Sequence, residues 1–124
     1  MILGVGTDII KVERIKKILV KYHDRFLNRV FTQDEQAYCL KRKDPALHLA
    51  GRFAAKEAIV KALGTGFSEG LSWLDFEIVK DDTGKPTVVY SSFVAEKFDH
   101  PVLLLSISHC HEYATAVAIW KEKS

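Results

Sequence analysis

The chain has 124 residues, of which 48% are hydrophobic and 27% are charged, and its formal net charge at pH 7 is +2. These values are typical of a globular protein and predict a single domain over residues 1–124. A chain of this length can form a real core, although a neighbouring subunit can still be needed to complete a functional site. The mild charge and the lack of an aromatic-basic surface motif argue against a nucleic-acid-binding protein.

We expect neither a membrane-spanning segment nor a signal peptide. No apolar run approaches the length that crosses a bilayer, and the first residues lack a basic start followed by a long apolar core. The expected location is therefore the cytoplasm. Cys39 and Cys110 stand apart with no Cys-x-x-Cys spacing, which predicts reduced thiols rather than a disulfide framework or a structural zinc site.

Residues 2–9 have the apolar, β-branched character of a buried strand. In such a strand Gly4, Gly6 and Asp8 share one face, because successive side chains point to opposite sides of a sheet. The two glycines leave that face open to a close approach, and Asp8 would project beside the gap at the end of the strand. Two roles for Asp8 stay open: capping the N-terminus of the next helix, or supplying a carboxylate to a site.

From residue 10 to about residue 21, apolar residues recur at helical spacing and predict an amphipathic helix. Its opposite face is basic. We call the four cations Arg14, Lys17, Lys21 and Arg25 the basic row, with Arg25 included if the helix continues or the next loop follows its direction. Such a row is either simply solvated or attracts an acidic protein surface.

The remaining elements follow from capping and turn signals. Residues 26–31 are expected to form a short helical or irregular connector, and Thr32 with Glu35 forms a capping box for a helix over 33–41. A central helix should begin at Pro45 and run to residue 63, with Gly64 as its C-cap. The other expected elements are a strand at 74–80, a turn at 81–84, a strand at 87–90, a helix at 91–98, and strands at 102–108 and 113–120 joined at 109–112. This order predicts an α+β fold with antiparallel hairpins.

The central helix carries a charge where its apolar stripe predicts none. At about 100° per residue, Phe53 and Val60 fall on one stripe with Glu57 in its middle. A carboxylate that faces the interior without a partner is costly or takes up a proton. One interpretation pairs Glu57 with Lys61 at i+4. The other directs Glu57 towards a metal ion and Lys61 towards an anion.

His109 follows a strongly apolar strand and begins a tight turn. It can simply be exposed, but rigid flanking strands can also hold a side chain in a site. Asp8, Glu57, Lys61 and His109 form a coherent set if the fold brings them together. Two carboxylates with little nitrogen or sulfur nearby suit Mg²⁺, and basic side chains beside them would neutralise substrate phosphates.

Several short motifs occur in order over nearly the whole chain: VGTDI at 5–9, FTQDE at 31–35, GRFAAKEA at 51–58 with Lys61, GTG at 64–66, GKP at 84–86, and SISH at 106–109 followed by EYA. Together they resemble the bacterial holo-[acyl-carrier-protein] synthases of the 4'-phosphopantetheinyl transferase superfamily. Two features depart from that pattern: Thr7 stands where an apolar residue is expected, and Cys110 and His111 stand where small polar or basic residues are usual. They leave open a change in coenzyme contacts or a metal contact at the hairpin.

The resemblance implies an enzyme that transfers the 4'-phosphopantetheine arm of coenzyme A to a serine of apo acyl carrier protein in fatty acid biosynthesis, releasing adenosine 3',5'-bisphosphate. It implies an antiparallel sheet with a long central helix, and a homotrimer whose active sites lie between subunits. It also places the family's Mg²⁺ ligands on Asp8 and Glu57.

The resemblance gives roles to the other candidate residues as well. Lys61 would stabilise or protonate the departing phosphate, and either Glu57 or a metal-bound water near Asp8 would accept the proton of the serine. The basic row would dock the acidic carrier protein. His109 completes the catalytic set. The residues implied in coenzyme binding are Arg52, Lys61, Gly64, Gly66, Gly84, Lys85, Pro86 and His109.

Two other functions stay open on the sequence alone. The first is a non-enzymatic module that binds an acidic protein through its first helix, with Glu57 and Lys61 only an internal pair and with no need for a divalent metal. The second is a zinc protein, although the spacings of its candidate ligands match no recurring pattern. Those ligands would be Cys39, His48, His109, Cys110 and His111.

Overall fold

The computed structural model describes residues 1–123 and has an α+β architecture, which confirms the predicted fold class and order of elements. The helices and strands are β1 (Ile2–Lys11), α1 (Val12–Val30), α2 (Gln33–Leu40), α3 (Pro45–Leu63), β2 (Phe76–Lys80), β3 (Pro86–Tyr90), α4 (Ser92–Lys97), β4 (Val102–His109) and β5 (Tyr113–Lys121). Within residues 1–123, no helix has the length and apolar character needed to span a bilayer.

Three antiparallel strands form the main sheet in the order β1-β5-β4, and β2 and β3 form a separate hairpin. Helix α3 packs across one face of the main sheet. A side chain at Gly4 would collide with the carbonyl oxygen of Ala62, and one at Gly6 with that of Ala58. The predicted open face of β1 is therefore filled by α3, whose backbone comes close because the glycines carry no Cβ.

The charged side chains buried in α3 are Arg52 and Lys56, and not Glu57. The helix is buried around most of its circumference, so a single apolar stripe does not describe it and Glu57 is only partly buried. The Lys56 ammonium is fully buried and donates to Glu35 Oε1 at 2.7 Å, to the carbonyl oxygen of Val30 at 2.7 Å and to that of Trp73 at 3.2 Å. This buried pair ties α1, α2 and the segment before β2 to the central helix.

Helix α1 extends further than the sequence predicts. It runs to Val30 with a kink at His23, where φ is 30° and ψ is −104°, instead of ending near residue 21. Of the two forms expected for residues 26–31, the helical one is found up to Val30, as a continuation of α1 and not as a separate connector, because Leu27 and Val30 are buried core residues. Strand β1 is also longer, so Lys11 occupies the N-cap position of α1 and the capping role of Asp8 is excluded.

Local capping explains the remaining boundaries. The predicted capping box is confirmed, since Thr32 N donates to Glu35 Oε1 at 2.9 Å and Glu35 N to Thr32 Oγ1 at 3.2 Å. Gly64 ends α3 in the left-handed region, with φ at 85°, as its C-cap position requires. The predicted strand at 74–80 begins only at Phe76, because Trp73–Asp75 forms a 3₁₀ turn that Ser72 caps.

Candidate active site

Asp8 and Lys61 form an ion pair between β1 and α3. Asp8 lies in the interior of β1, opposite Ala116 of β5, on the face that packs against α3. Lys61 Nζ donates to Asp8 Oδ1 at 3.0 Å and to the carbonyl oxygen of Thr7 at 3.0 Å. Glu57 makes no salt bridge with any of residues 1–123, so the simple i+4 pair of Glu57 and Lys61 is not formed.

Glu57 lies in the same pocket as Asp8. This carboxylate pocket has a volume of about 190 Å³ and is lined by Asp8, Ile9, Ile10, Arg14, Phe53 and Glu57. Burial raises the pKa of Glu57 above its ordinary value and the Asp8 carboxylate raises it further, while Lys61 and Arg14 act in the opposite direction. Burial and the neighbouring Asp8 carboxylate together outweigh the effect of the two cations on Glu57.

The donor set of the carboxylate pocket fits Mg²⁺. This ion is commonly held by one or two carboxylates together with substrate phosphates. Within residues 1–123, no group of three or more His, Cys, Asp or Glu side chains is placed to hold a metal ion. That result also removes the structural support for a zinc site built on Cys39, His48, His109, Cys110 and His111. Cys39 is buried, and burial raises the pKa of its thiol to about 11.

A second site, which we call the basic pocket, lies at the other predicted residues. It has a volume of about 130 Å³ and is lined by His48, Arg52, Lys80, Gly84, Pro86 and His109, with Gly51 and Ile107 beside them. Arg52 comes from α3, Gly84 from the turn between β2 and β3, Pro86 from the start of β3, and His109 from the end of β4. Four of the predicted coenzyme residues therefore meet in one place.

Among residues 1–123, the basic pocket is lined by cations and by no carboxylate. Arg52 is only 5% exposed, and its Nε has no hydrogen-bond partner. Three cations lie over the ring of Tyr38. The guanidinium groups of Arg52 and Arg42 are 4.3 Å and 3.9 Å from its centroid, and the ammonium group of Lys80 is 5.4 Å from it. Within residues 1–123, none of these three cations forms a salt bridge. A buried, unpartnered donor among free cations is the arrangement that an anion would complete.

The predicted catalytic set is divided between the two pockets. Asp8, Glu57 and Lys61 lie together, whereas His109 lines the basic pocket. Gly64 and Gly66 line neither pocket, and their amides donate to the carbonyl oxygen of Val60 at 3.1 Å and 3.2 Å. Lys85 is exposed beside Gly84 and Pro86.

Sequence reasoning missed four residues around the basic pocket: Tyr38, Arg42, His48 and Lys80. Arg42 was given no role, and His48 was considered only as a zinc ligand. The other two carried no signal, because they belong to separate elements that meet only in the folded chain.

The basic row is exposed but does not form one straight line. Arg14 and Lys17 line a groove of about 460 Å³ that also includes His111. Beyond the kink at His23, Arg25 lines a different pocket of about 400 Å³ with Ile18, Tyr22, Phe26 and Arg29. Lys21 and Arg25 both lie over the ring of Tyr22, at 5.2 Å and 5.5 Å. The row therefore joins two surfaces, the second of which has apolar side chains that the sequence did not indicate.

Comparison with known proteins assigns the family. Residues 4–118 match the model of the 4'-phosphopantetheinyl transferase superfamily. A holo-[acyl-carrier-protein] synthase from Protochlamydia amoebophila is 66% identical over 120 residues, which cover 97% of this chain and 98% of that protein. The crystal structure of the synthase from Neisseria meningitidis superposes with a TM-score of 0.90 at 34% identity, covering 98% of this chain and all of that one.

A synthase from Bacillus anthracis, solved in complex with CoA (3',5'-ADP), gives a TM-score of 0.84 at 39% identity, with 99% of each chain covered. The Helicobacter pylori synthase, solved in complex with coenzyme A, gives 0.86 at 33% identity, covering 94% of this chain and 99% of that one. Sequence and structure thus agree over nearly the whole chain. It follows that the chain belongs to the 4'-phosphopantetheinyl transferase superfamily and, within it, to the holo-[acyl-carrier-protein] synthases.

Proposed function

We propose that this enzyme transfers 4'-phosphopantetheine from coenzyme A to a serine of apo acyl carrier protein, with Mg²⁺, and releases adenosine 3',5'-bisphosphate. The main support for placing the reaction in the carboxylate pocket is that Asp8 and Glu57 lie there beside Lys61. The coenzyme complexes of two relatives support coenzyme A as the donor. The expected location is the cytoplasm and the expected pathway is fatty acid biosynthesis.

Each residue of the carboxylate pocket has a distinct task in this proposal. Asp8 and Glu57 would hold Mg²⁺, which when bound neutralises charge on the phosphate oxygens of the coenzyme. Lys61, anchored 3.0 Å from Asp8, would donate to the departing phosphate. The serine hydroxyl forms the new bond to phosphorus as the bond to the adenosine bisphosphate breaks. Both open proton acceptors remain in the proposal: the Glu57 carboxylate and a metal-bound water near Asp8.

We propose that the basic pocket receives the phosphates and the adenine of the coenzyme. Arg52 has a free buried Nε, and His109 lines the same pocket. Gly84, Lys85 and Pro86 would form the wall from the β2-β3 turn. Gly64 and Gly66 stay outside the contacts proposed here, since they line neither pocket.

We also propose a homotrimer with active sites between subunits. The face of the main sheet opposite α3 is apolar yet exposed: Val5 is 59% exposed and Ile9 65%, with Leu104 and Val117 exposed on the neighbouring strands. Large exposed apolar patches usually mark interfaces. The carboxylate pocket and the basic pocket share no lining residue, which suits a coenzyme bound by pockets of two different subunits.

The basic row, Arg14, Lys17, Lys21 and Arg25, is the proposed docking surface for the acidic carrier protein. Its exposed cations would attract the carrier during encounter. The pocket beside Arg25 offers Ile18 and Phe26 as apolar contacts, so docking there would combine charge with burial of apolar side chains.

The test is the intact mass of an apo acyl carrier protein incubated with this protein, coenzyme A and Mg²⁺, with a chelator as control. A mass gain equal to one phosphopantetheine arm, absent with the chelator, is the expected result. No gain with a carrier that a known synthase modifies would overturn the proposal and favour the non-enzymatic module that binds an acidic protein.

A further inference from the structure

His48 is placed to act on the basic pocket through a neighbouring side chain. It lies near the start of α3 and lines the pocket. Its ring meets that of His109 edge to face, with the centroids 5.8 Å apart, and meets that of Tyr38 in the same way at 6.1 Å. The imidazole of His48 therefore packs directly against one proposed coenzyme residue.

The charged groups that act on His48 are all cationic or protonatable. They come from four elements and one loop: Tyr38 from α2, Arg42 from the loop after α2, Arg52 from α3, Lys80 from β2 and His109 from β4. Burial lowers the pKa of His48 below its ordinary value, and His109 and the three permanent cations lower it further. The carboxylates of Asp34, Glu35 and Glu77 line an adjacent pocket, which also includes Tyr38 and shares Arg52 and Lys80 with the basic pocket.

These surroundings disfavour the protonated form of His48. A phosphate group in the basic pocket would supply the counter-charge that the cations lack. We propose that His48 is a positioning residue of the coenzyme pocket: it takes up a proton from solvent when a coenzyme phosphate binds, and so supports His109 and makes coenzyme binding pH-dependent. This inference rests on the proposed function and names a residue that would regulate its coenzyme site.

The direction of the pH dependence follows from linkage. The free protein keeps the pKa of His48 low, and bound phosphate raises it. Between these two values binding takes up a proton, so the affinity for coenzyme rises as pH falls through that window. Below the window His48 is already protonated and the affinity levels off. Each pKa unit of difference corresponds to about a tenfold change in affinity.

The experiment is calorimetric titration of coenzyme A, and of adenosine 3',5'-bisphosphate, in two buffers with different protonation enthalpies. The comparison is between the wild type and His48→Phe, which keeps an aromatic ring against Tyr38 and His109 but cannot be protonated. His100→Phe, at an exposed residue outside the basic pocket, is the matched control. Wild type and control should take up more protons per bound ligand than His48→Phe, whose affinity should also vary less with pH. The titration of the ligand's own phosphates is common to all three.

Equal proton uptake by the wild type and His48→Phe would overturn the inference while leaving the transferase proposal intact. Failure of the wild type to bind coenzyme, together with no mass gain of the carrier, would overturn both. If His48→Phe does not fold, an NMR titration of the wild-type His48 ring with and without adenosine 3',5'-bisphosphate decides. A higher pKa in the complex supports the role, and an unchanged pKa contradicts it.

Discussion

Helix α3 presents two lysines to carboxylates from other elements, and the two pairs have opposite designs. The Lys56–Glu35 pair has no exposed side-chain surface, whereas in the Lys61–Asp8 pair the lysine is 51% exposed and the aspartate 16%. Lys56 has three hydrogen-bond acceptors, and Glu35 also accepts from the amides of Thr32 and Ile78. The first pair is closed, while the second lies in an open pocket beside a further carboxylate, Glu57.

The difference separates a structural role from a catalytic one. In the closed pair each charge is compensated by its partner and by hydrogen bonds. The pair therefore fixes α1, α2 and β2 against α3 and leaves no hydrogen-bonding group free for a ligand. In the open pair two carboxylates share one ion-paired lysine, and burial and Asp8 raise the pKa of Glu57. An unbalanced, accessible cluster is the arrangement that a cation and a phosphate would complete.

Breaking the closed pair should have the largest effect on stability. Lys56→Met leaves the Glu35 carboxylate buried without its counter-charge, and we expect a loss of about 3–5 kcal/mol in the free energy of unfolding. Lys61→Met, the matched change in the open pair, should cost at most about 1 kcal/mol because Lys61 is half exposed. Chemical denaturation measures both. Equal losses would contradict the assignment of the two pairs to different roles.

Neutralising the open carboxylates should instead affect catalysis. Asp8→Asn or Glu57→Gln should lower the transfer rate by at least about 100-fold, since each removes a charge that is proposed to hold Mg²⁺ and position the phosphates. Folding should be little affected, because neither carboxylate anchors a buried network. Transfer rates and unfolding midpoints measured on the same samples test this. Full activity in both variants would refute the proposed metal ligands.

Removing the metal should reveal the raised pKa of Glu57. The pKa of Glu57 is higher in the folded protein than in the unfolded chain, so between these two values the folded state binds more protons. The free energy of unfolding therefore falls as pH rises from the lower to the higher pKa, and the loss persists above it. Glu57→Gln removes this loss, so in chelator its stability relative to the wild type should grow from acid to neutral pH. Added Mg²⁺ should reduce the difference by stabilising the wild type alone. Thermal unfolding with and without Mg²⁺ measures this, and a pH-independent difference would argue against it.

Reversing charge in the basic row should have the smallest effect. Lys17→Glu or Arg25→Glu should raise the KM for the carrier about 3- to 10-fold, most clearly at low salt, and leave the KM for coenzyme A unchanged. Arg14→Glu is a less clean test because Arg14 also lines the carboxylate pocket and affects Glu57. Lys97→Glu on α4 is an exposed control. An unchanged carrier KM in both row variants would remove support for docking on α1.

Much of the fold could be predicted from local signals. Thr32, Pro45 and Gly64 mark helix ends because capping depends on neighbouring residues, and their predicted positions are confirmed. The burial of Lys56 could not be predicted, because its partner Glu35 lies 21 residues away and periodicity alone favoured Glu57. The kink at His23 likewise has no local sequence signal.

The candidate site was predictable where one motif carried it. Asp8, Glu57 and Lys61 were predicted as a set and lie together, although the pairing of Lys61 with Asp8 across two elements was not foreseen. His109 was assigned to the same set but lies in the basic pocket. Tyr38 and Lys80 were missed because only the folded chain brings α2 and β2 to Arg52.

The measurement that tests the central claim most directly compares Asp8→Asn with the wild type by intact mass of an apo acyl carrier protein, in the presence of coenzyme A and Mg²⁺. Both proteins are first shown to have the same unfolding midpoint. The account predicts that the carrier gains one phosphopantetheine arm with the wild type and, over the same time, none with Asp8→Asn. An equal rate of mass gain with both proteins would show that the open pair on α3 is not the catalytic one.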